Sequence, residues 1–147
     1  MVGLRLVRLI EKHAEELAQS LTEKLRNSER TQHFANVRSD EMRSATVELY
    51  RHIGEWLLSK TESDIEVRYR QVGQRRAAQG IPMSEFVWAM VMSKENLWAF
   101  LQREAVSDQP VEIYGELELL QLLDQFFERA IYYGVVGFTH GHQRASA

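Results

Sequence analysis

The sequence predicts an all-α fold, a bundle of about five main helices with a possible globin-like arrangement, on three observations. Apolar residues recur at spacings of three and four through most of the chain. No stretch alternates with the period of a strand, and only two prolines interrupt 147 residues. A chain of this length buries a full core, and 44% hydrophobic with 27% charged residues is ordinary for a globular protein. Residues 1–138 are therefore expected to form a single helical domain, followed by a flexible polar tail over 139–147.

The first helix is expected from Leu4 to Arg26, where Leu4, Val7, Ile10, Ala14, Leu17, Leu21 and Leu25 form one stripe. Asn27 to Arg38 is polar apart from Phe34 and Val37, and is expected to be a connection with one short turn. Ser39 or Asp40 is placed to cap a second helix that runs to about Ser59 with Met42, Ala45, Leu49, Ile53, Trp56 and Leu57 on one face. Gly54 inside it costs about 1 kcal/mol relative to alanine, which points to a closely packed neighbour. Thr61 to Ser63 breaks the pattern. A third helix from about Asp64 then buries Ile65, Tyr69, Val72 and the stem of Arg76.

That helix runs into a helix-Gly-Ile-Pro-helix corner at residues 80–82. Gly80 supplies the left-handed conformation a helix end needs, Arg75 and Arg76 suit the negative end of the dipole, and Pro82 is pre-organised for the first turn of the next helix. The fourth helix carries Phe86, Val87, Met90, Val91, Leu97, Trp98 and Leu101. So short a connection is expected to pack it on its predecessor as an angled or antiparallel pair. Ser107-Asp108-Gln109-Pro110 reads as a loop.

The last helix, from about Glu112 to Phe138, inverts the usual proportions. Glu118, Gln121, Gln125 and Glu128 make one narrow polar stripe, while leucines and phenylalanines cover most of the rest. It is expected to be covered on more than one side, with Leu119, Leu122, Phe126 and Tyr133 as candidates for a homodimer interface. Gly134 and Gly137 weaken the helix, so that its end is expected to kink, to pack closely on a twin or to lead into whatever follows.

Several classes of function are disfavoured. The chain has no cysteine, which removes disulfides, thiolate catalysis and thiolate metal sites, and fits a reducing cytoplasm. Met1 to Ile10 is too short and too interrupted by Arg5 and Arg8 for a signal peptide. No apolar run approaches the ~20 residues of a membrane span. A net charge of -3 gives no overall reason to bind nucleic acid.

His52 lies between Leu49 and Trp56, at the edge of an apolar face where a haem or a metal would sit, but nothing nearby supplies further ligands. Glu48 and His52 are four apart, unlike the Glu-x-x-His pair of a di-iron bundle. His140 and His142 fall in the polar tail. Arg68, Arg70, Arg75 and Arg76 read as a solvated basic face, and Glu112 and Glu116 as dipole partners of a helix start. His52, Trp56, Trp98 and Phe127 are the candidates for an apolar pocket, although aromatics at helical spacing more often fill a core. No phosphate loop, zincin motif or nucleophile elbow is present, so neither a cofactor nor an enzymatic reaction is expected.

The run Gly73-Gln74-Arg75-Arg76-Ala77-Ala78-Gln79-Gly80-Ile81-Pro82-Met83-Ser84-Glu85 resembles the helix-corner-helix signature of the N-terminal domain of RsbT co-antagonist proteins, the RsbRD N-terminal type. Phe126-Phe127-Glu128-Arg129-Ala130-Ile131-Tyr132-Tyr133 is similar to the closing helix of the same domains. The resemblance implies a non-enzymatic sensory or regulatory input module of a bacterial stress-response system, acting by dimerisation and protein contact. Such a module precedes an output unit, for example a phosphorylatable STAS domain, a histidine kinase or a helix-turn-helix regulator. The sequence ends at Ala147 without an output unit, so an isolated module or a piece of a longer chain is expected. The alternative is a globin-like sensor of haem or of a small apolar ligand.

Overall fold

The computed structural model describes residues 4–104 and 110–146, and contains no strand among them. In chain order they form α1 (Leu4–Lys12), α2 (Ala14–Asn27), a 3-10 segment (Glu29–Asn36), α3 (Ser39–Arg51), α4 (Ile53–Leu58), α5 (Glu62–Ala78), α6 (Met83–Glu104) and α7 (Pro110–Ser146). The all-α architecture is the expected one.

Five expected helices become seven because two of them break, each at a histidine. His13 (φ -101°, ψ 20°) separates α1 from α2, and His52 (φ -113°, ψ 21°) separates α3 from α4. Both lie in the bridge region, where a helix turns without a glycine. The first break is held by the His13 imidazole, whose Nδ1 donates to the Leu9 carbonyl at 2.9 Å. The second is held from α1: the Glu11 carboxylate accepts from the Gly54 N–H at 3.1 Å, one of the donors that a helix start leaves without a partner. A Cβ on Gly54 would stand 3.0 Å from Val7, so the glycine admits α1 as its close neighbour.

Two helix starts also differ from expectation. No side chain caps α3, whose cap position is Arg38. A capping box instead opens α5: Thr61 Oγ1 accepts from the Asp64 N–H at 3.2 Å, and the Asp64 carboxylate accepts from the Thr61 N–H at 2.9 Å. Those bonds hold the Asp64 carboxyl below its ordinary range and start the helix at Glu62, inside the stretch that breaks the apolar pattern. The polar connection after α2 is a 3-10 segment. Buried Thr31 donates to the Leu25 carbonyl at 2.6 Å, and Phe34 and Val37 enter the core.

At the corner Gly80 has φ 76°, and the Gly80 and Ile81 N–H groups return to the Ala77 and Arg76 carbonyls at 3.1 and 3.2 Å. Beyond it α6 leaves α5 and lies against α2, the 3-10 segment and α7. α5 and α6 meet only briefly, and the most extensive pairing among the described residues is between α5 and α7. These two run parallel: Glu62 meets Arg129 at 3.1 Å, Arg70 lies against Gly137, and Gln74 against Gly141.

The physical reason is glycine. A Cβ on Gly73 would fall on the Gly134 carbonyl and 2.7 Å from the Phe138 nitrogen, and one on Gly137 would fall 2.6 Å from the Arg70 Cα. Backbone therefore meets backbone along this seam, and the close neighbour of Gly134 and Gly137 belongs to the same chain. Gly141 prolongs the seam against Gln74 and Ala77, so that residues 139–146, read from sequence as a flexible tail, continue α7. Ser107, Asp108 and Gln109 of the expected loop lie outside the described residues, and α7 begins at Pro110.

Two apolar clusters fill the bundle. One gathers Ile10, Tyr50, Ile53, Leu97, Leu119, Leu123, Phe126 and Phe127; the other gathers Leu21, Leu25, Phe34, Ile81, Phe86 and Phe138. The polar stripe Glu118, Gln121, Gln125 and Glu128 faces outward. Among the described residues no helix is long and apolar enough to cross a membrane.

Candidate functional site: an apolar cavity with a charged rim

Between α2, α3, α5 and α6 the packing leaves a cavity of about 100 Å³. Leu25, Phe34, Met42, Leu49, Trp56, Val72, Phe86 and Met90 wall it, and Glu48, Arg68 and Arg76 provide its charges. Of the α5 residues that reach it, Arg68, Val72 and Arg76 share one helix face because each lies four residues from the next, and Tyr69 is three residues before Val72.

Arg76 is the unusual member. Its residue is 8% exposed, and its guanidinium lies 6.0 Å from the Phe34 ring centre. Nη1 donates to Gln79 Oε1 at 2.8 Å and to Glu41 Oε2 at 3.4 Å. Glu41 also accepts from Gln79 Nε2 at 2.7 Å and pairs with Arg75, so one carboxylate serves two arginines. Burial, and then the neighbouring Arg75 charge, push the Arg76 pKa down to about 10, which leaves it protonated at neutral pH. At the solvent end Arg68 pairs with Glu48 at 3.3 Å. Tyr69 packs edge-on against Trp56 and Phe126, and burial pushes its phenol above the ordinary range.

Next to the cavity a polar network ties three helices together. The buried Tyr50 hydroxyl donates to the Ser93 carbonyl at 2.9 Å. Asn96 Nδ2 donates to the Leu17 carbonyl at 3.0 Å, and its Oδ1 accepts from Lys24 Nζ at 2.7 Å and Ser20 Oγ at 3.2 Å. Desolvation pushes Tyr50 up to about 12, against the opposing effect of its bonds to Ser93 and Asn96. A second link joins the 3-10 segment to α6: buried Glu85 accepts from the His33 N–H at 2.8 Å and pairs with the His33 imidazole.

The structure does not bring the four pocket candidates together. Trp56 lines the cavity. His52 is on the surface, its imidazole 3.6 Å from Glu55, and Trp98 lines a separate pocket with Leu6, Leu101 and Leu120. Phe127 is 1% exposed and fills the core. Of the four interface candidates, Leu119 and Phe126 are 0% and 3% exposed within the chain itself, and Leu122 and Tyr133 are half-buried. No group of histidine, aspartate and glutamate suited to a metal ion occurs among the described residues. The cavity is well below the ~300–1,000 Å³ of ordinary small-molecule pockets, and no observation places a haem in it.

Sequence reasoning missed Glu41, Gln79, Glu85, Ser93 and Asn96. They are polar residues with partners far away in the chain. The one local signal is that Glu85, Ser93 and Asn96 share a helical face with Phe86, Ala89, Leu97 and Phe100.

These polar groups hold the helices of an all-helical domain together. The chain belongs to the family of RsbT co-antagonist protein rsbRD N-terminal domains, whose model matches residues 15–146. The resemblance carried by the corner and by the Phe126–Tyr133 run is thereby borne out, and the family places the domain in signalling and regulation of the stress response. Comparison with curated proteins and with solved structures gave no match.

Proposed function

We propose that the domain is a non-enzymatic input module that works in the cytoplasm as a homodimer and passes a change in helix packing to a signalling partner or output domain. The observation that carries this reading is the outer face of α7. Leu117 and Tyr132 are 59% and 63% exposed there, beside the stripe Glu118, Gln121, Gln125 and Glu128. Leu122 and Tyr133 lie at its edge, the Tyr133 ring 5.2 Å from that of Tyr132. Large apolar side chains among polar ones on one long helix suit a two-fold interface with a polar rim. Because α7 is locked to α5 by backbone contact, movement at that face would carry α5 with it.

Light scattering over a range of protein concentrations tests the reading. The native chain is expected to run as a dimer, and the double variant Leu117→Asp, Tyr132→Asp as a folded monomer with unchanged helical circular dichroism. A native chain that stays monomeric at high concentration would remove dimerisation from the proposal.

A further inference from the structure

A second pocket, of about 290 Å³, lies between α1, α6 and α7. Leu6 reaches it from α1, Trp98, Leu101 and Gln102 from α6, and Glu116 and Leu120 from α7. Leu6 and Leu101 are buried and Gln102 is exposed, so the pocket has an apolar floor and a side open to solvent. Among the described residues its lining carries one charge, that of Glu116, whose side chain is only 16% exposed. Oε1 of that carboxylate is covered and accepts no hydrogen bond. Arg5 Nη2 stands 3.9 Å from it, beyond hydrogen-bond distance, on a side chain 57% exposed, where solvent screens the pair. A carboxylate so far withdrawn from water calls for a donor. The Trp98 N–H is covered as well, so what that residue offers the pocket is its ring.

We infer that this pocket is a binding site for a small hydrophobic amine in its ammonium form, its apolar body against Leu6, Leu101 and Leu120 and its ammonium on Glu116 beside the Trp98 ring. The volume sets the size: about 150 Å³ holds benzene, so about 290 Å³ holds an arylalkylamine or alkylamine somewhat larger than benzene. The charge of the lining sets the headgroup. An ammonium supplies the donors that the Glu116 carboxylate lacks, and a cation beside an indole is further attracted by the ring quadrupole. A neutral hydrocarbon would fill the volume but leave Glu116 unmatched, and a carboxylate ligand would set a second anion against it. Glu116 and Leu120 flank the exposed Leu117 on α7, so an occupant would tie α1 and α6 to the helix that carries the proposed dimer face. As a signal this rests on the regulatory reading above; as a binding site it does not.

The test is titration of the native chain with benzylamine hydrochloride, toluene and sodium benzoate as probes, followed through the Trp98 indole N–H resonance and the melting temperature. Benzylamine is expected to bind saturably, at least about tenfold more tightly than toluene, the least that a charge-assisted hydrogen bond supplies, and benzoate not at all. Glu116→Gln should reduce benzylamine binding to the level of toluene, whereas Arg5→Gln, which removes the competing cation, should strengthen it by up to about threefold. Leu120→Trp fills the pocket from α7 and should abolish binding of both benzylamine and toluene, which decides the matter even if Glu116→Gln does not fold. Benzylamine no tighter than toluene, an indole resonance that does not move, weaker binding to Arg5→Gln, or undiminished benzylamine binding to Glu116→Gln or Leu120→Trp would each overturn the assignment. None of these outcomes bears on the dimer, which is read without ligand.

Discussion

Helix α5 has two sides that solve packing in opposite ways. Toward α7 it presents Gly73 and the backbone of Arg70, and at these positions the two helices touch with no side chain between them. Toward α3 and α6 it presents Val72 and Arg76, which line a cavity of about 100 Å³ beside a buried charge. The difference separates what must stay rigid from what is free to respond. Backbone-on-backbone contact has one geometry and cannot relax around an added atom. A wall of methionine, arginine and aromatic side chains has many geometries at similar energy. The seam therefore couples α5 to α7 as one body, and the cavity is where an outside influence has room to act.

The largest expected effect comes from breaking the seam. Gly73→Ala places a methyl on the Gly134 carbonyl and is expected to cost about 3 kcal/mol or more, seen as a matching fall in urea stability. A loss below 1 kcal/mol would mean that the helices separate easily and that the contrast with the cavity side is false.

High pH probes the opposite side. The folded pKa of Tyr50, about 12, lies above the unfolded value of 10.0, so folding favours the neutral phenol. Its contribution is complete below pH 10 and is lost as pH rises through 12, and a shift of that size amounts to about 2 to 3 kcal/mol. Tyr69 acts in the same direction. Denaturant curves for the native chain and Tyr50→Phe across this range should show a shallower decline in the variant.

Glu41→Gln leaves Arg75 and Arg76 without a counter-charge. Because Glu41 keeps 23% of its side chain in solvent, the expected cost is about 2 kcal/mol rather than the larger value of a fully buried pair. It should shrink in high salt if the Arg75 side dominates. Gly80→Ala sharpens the comparison with Gly73. No atom lies within 4 Å of the added Cβ, but φ is 76°, so a purely conformational cost of about 1 kcal/mol is expected from the same type of measurement. The smallest effect is that of Ala45→Leu, which is expected to change stability by less than about 1 kcal/mol in the stabilising direction. A clear destabilisation would show that the wall is not adaptable.

Much of the fold was legible in the amino-acid pattern, for reasons visible at particular residues. Val7, Ile10, Ala14, Leu17, Leu21 and Leu25 are all buried as their spacing requires, and Glu118, Gln121, Gln125 and Glu128 all face out. Periodicity reports which face of a helix is covered. It does not report by what. The excess apolar surface of α7 suggested a twin chain, yet Leu119 and Phe126 are consumed by the domain's own core. The candidate site was hardly legible: Trp56 was singled out as a pocket candidate and the Arg76 stem was expected to be buried, but the Glu41 that pairs with Arg76 comes from 35 residues away.

The sequence alone determined that the chain is helical and which faces those helices bury, because apolar spacing, glycine and proline act over a single turn. Only the tertiary structure decided that α7 runs parallel to α5. It also decided that α6 lies mainly against α7, α2 and the 3-10 segment, and that one carboxylate must serve two arginines. Those outcomes depend on which backbones can approach most closely and on which charges meet when they do, and neither is a property of any one segment.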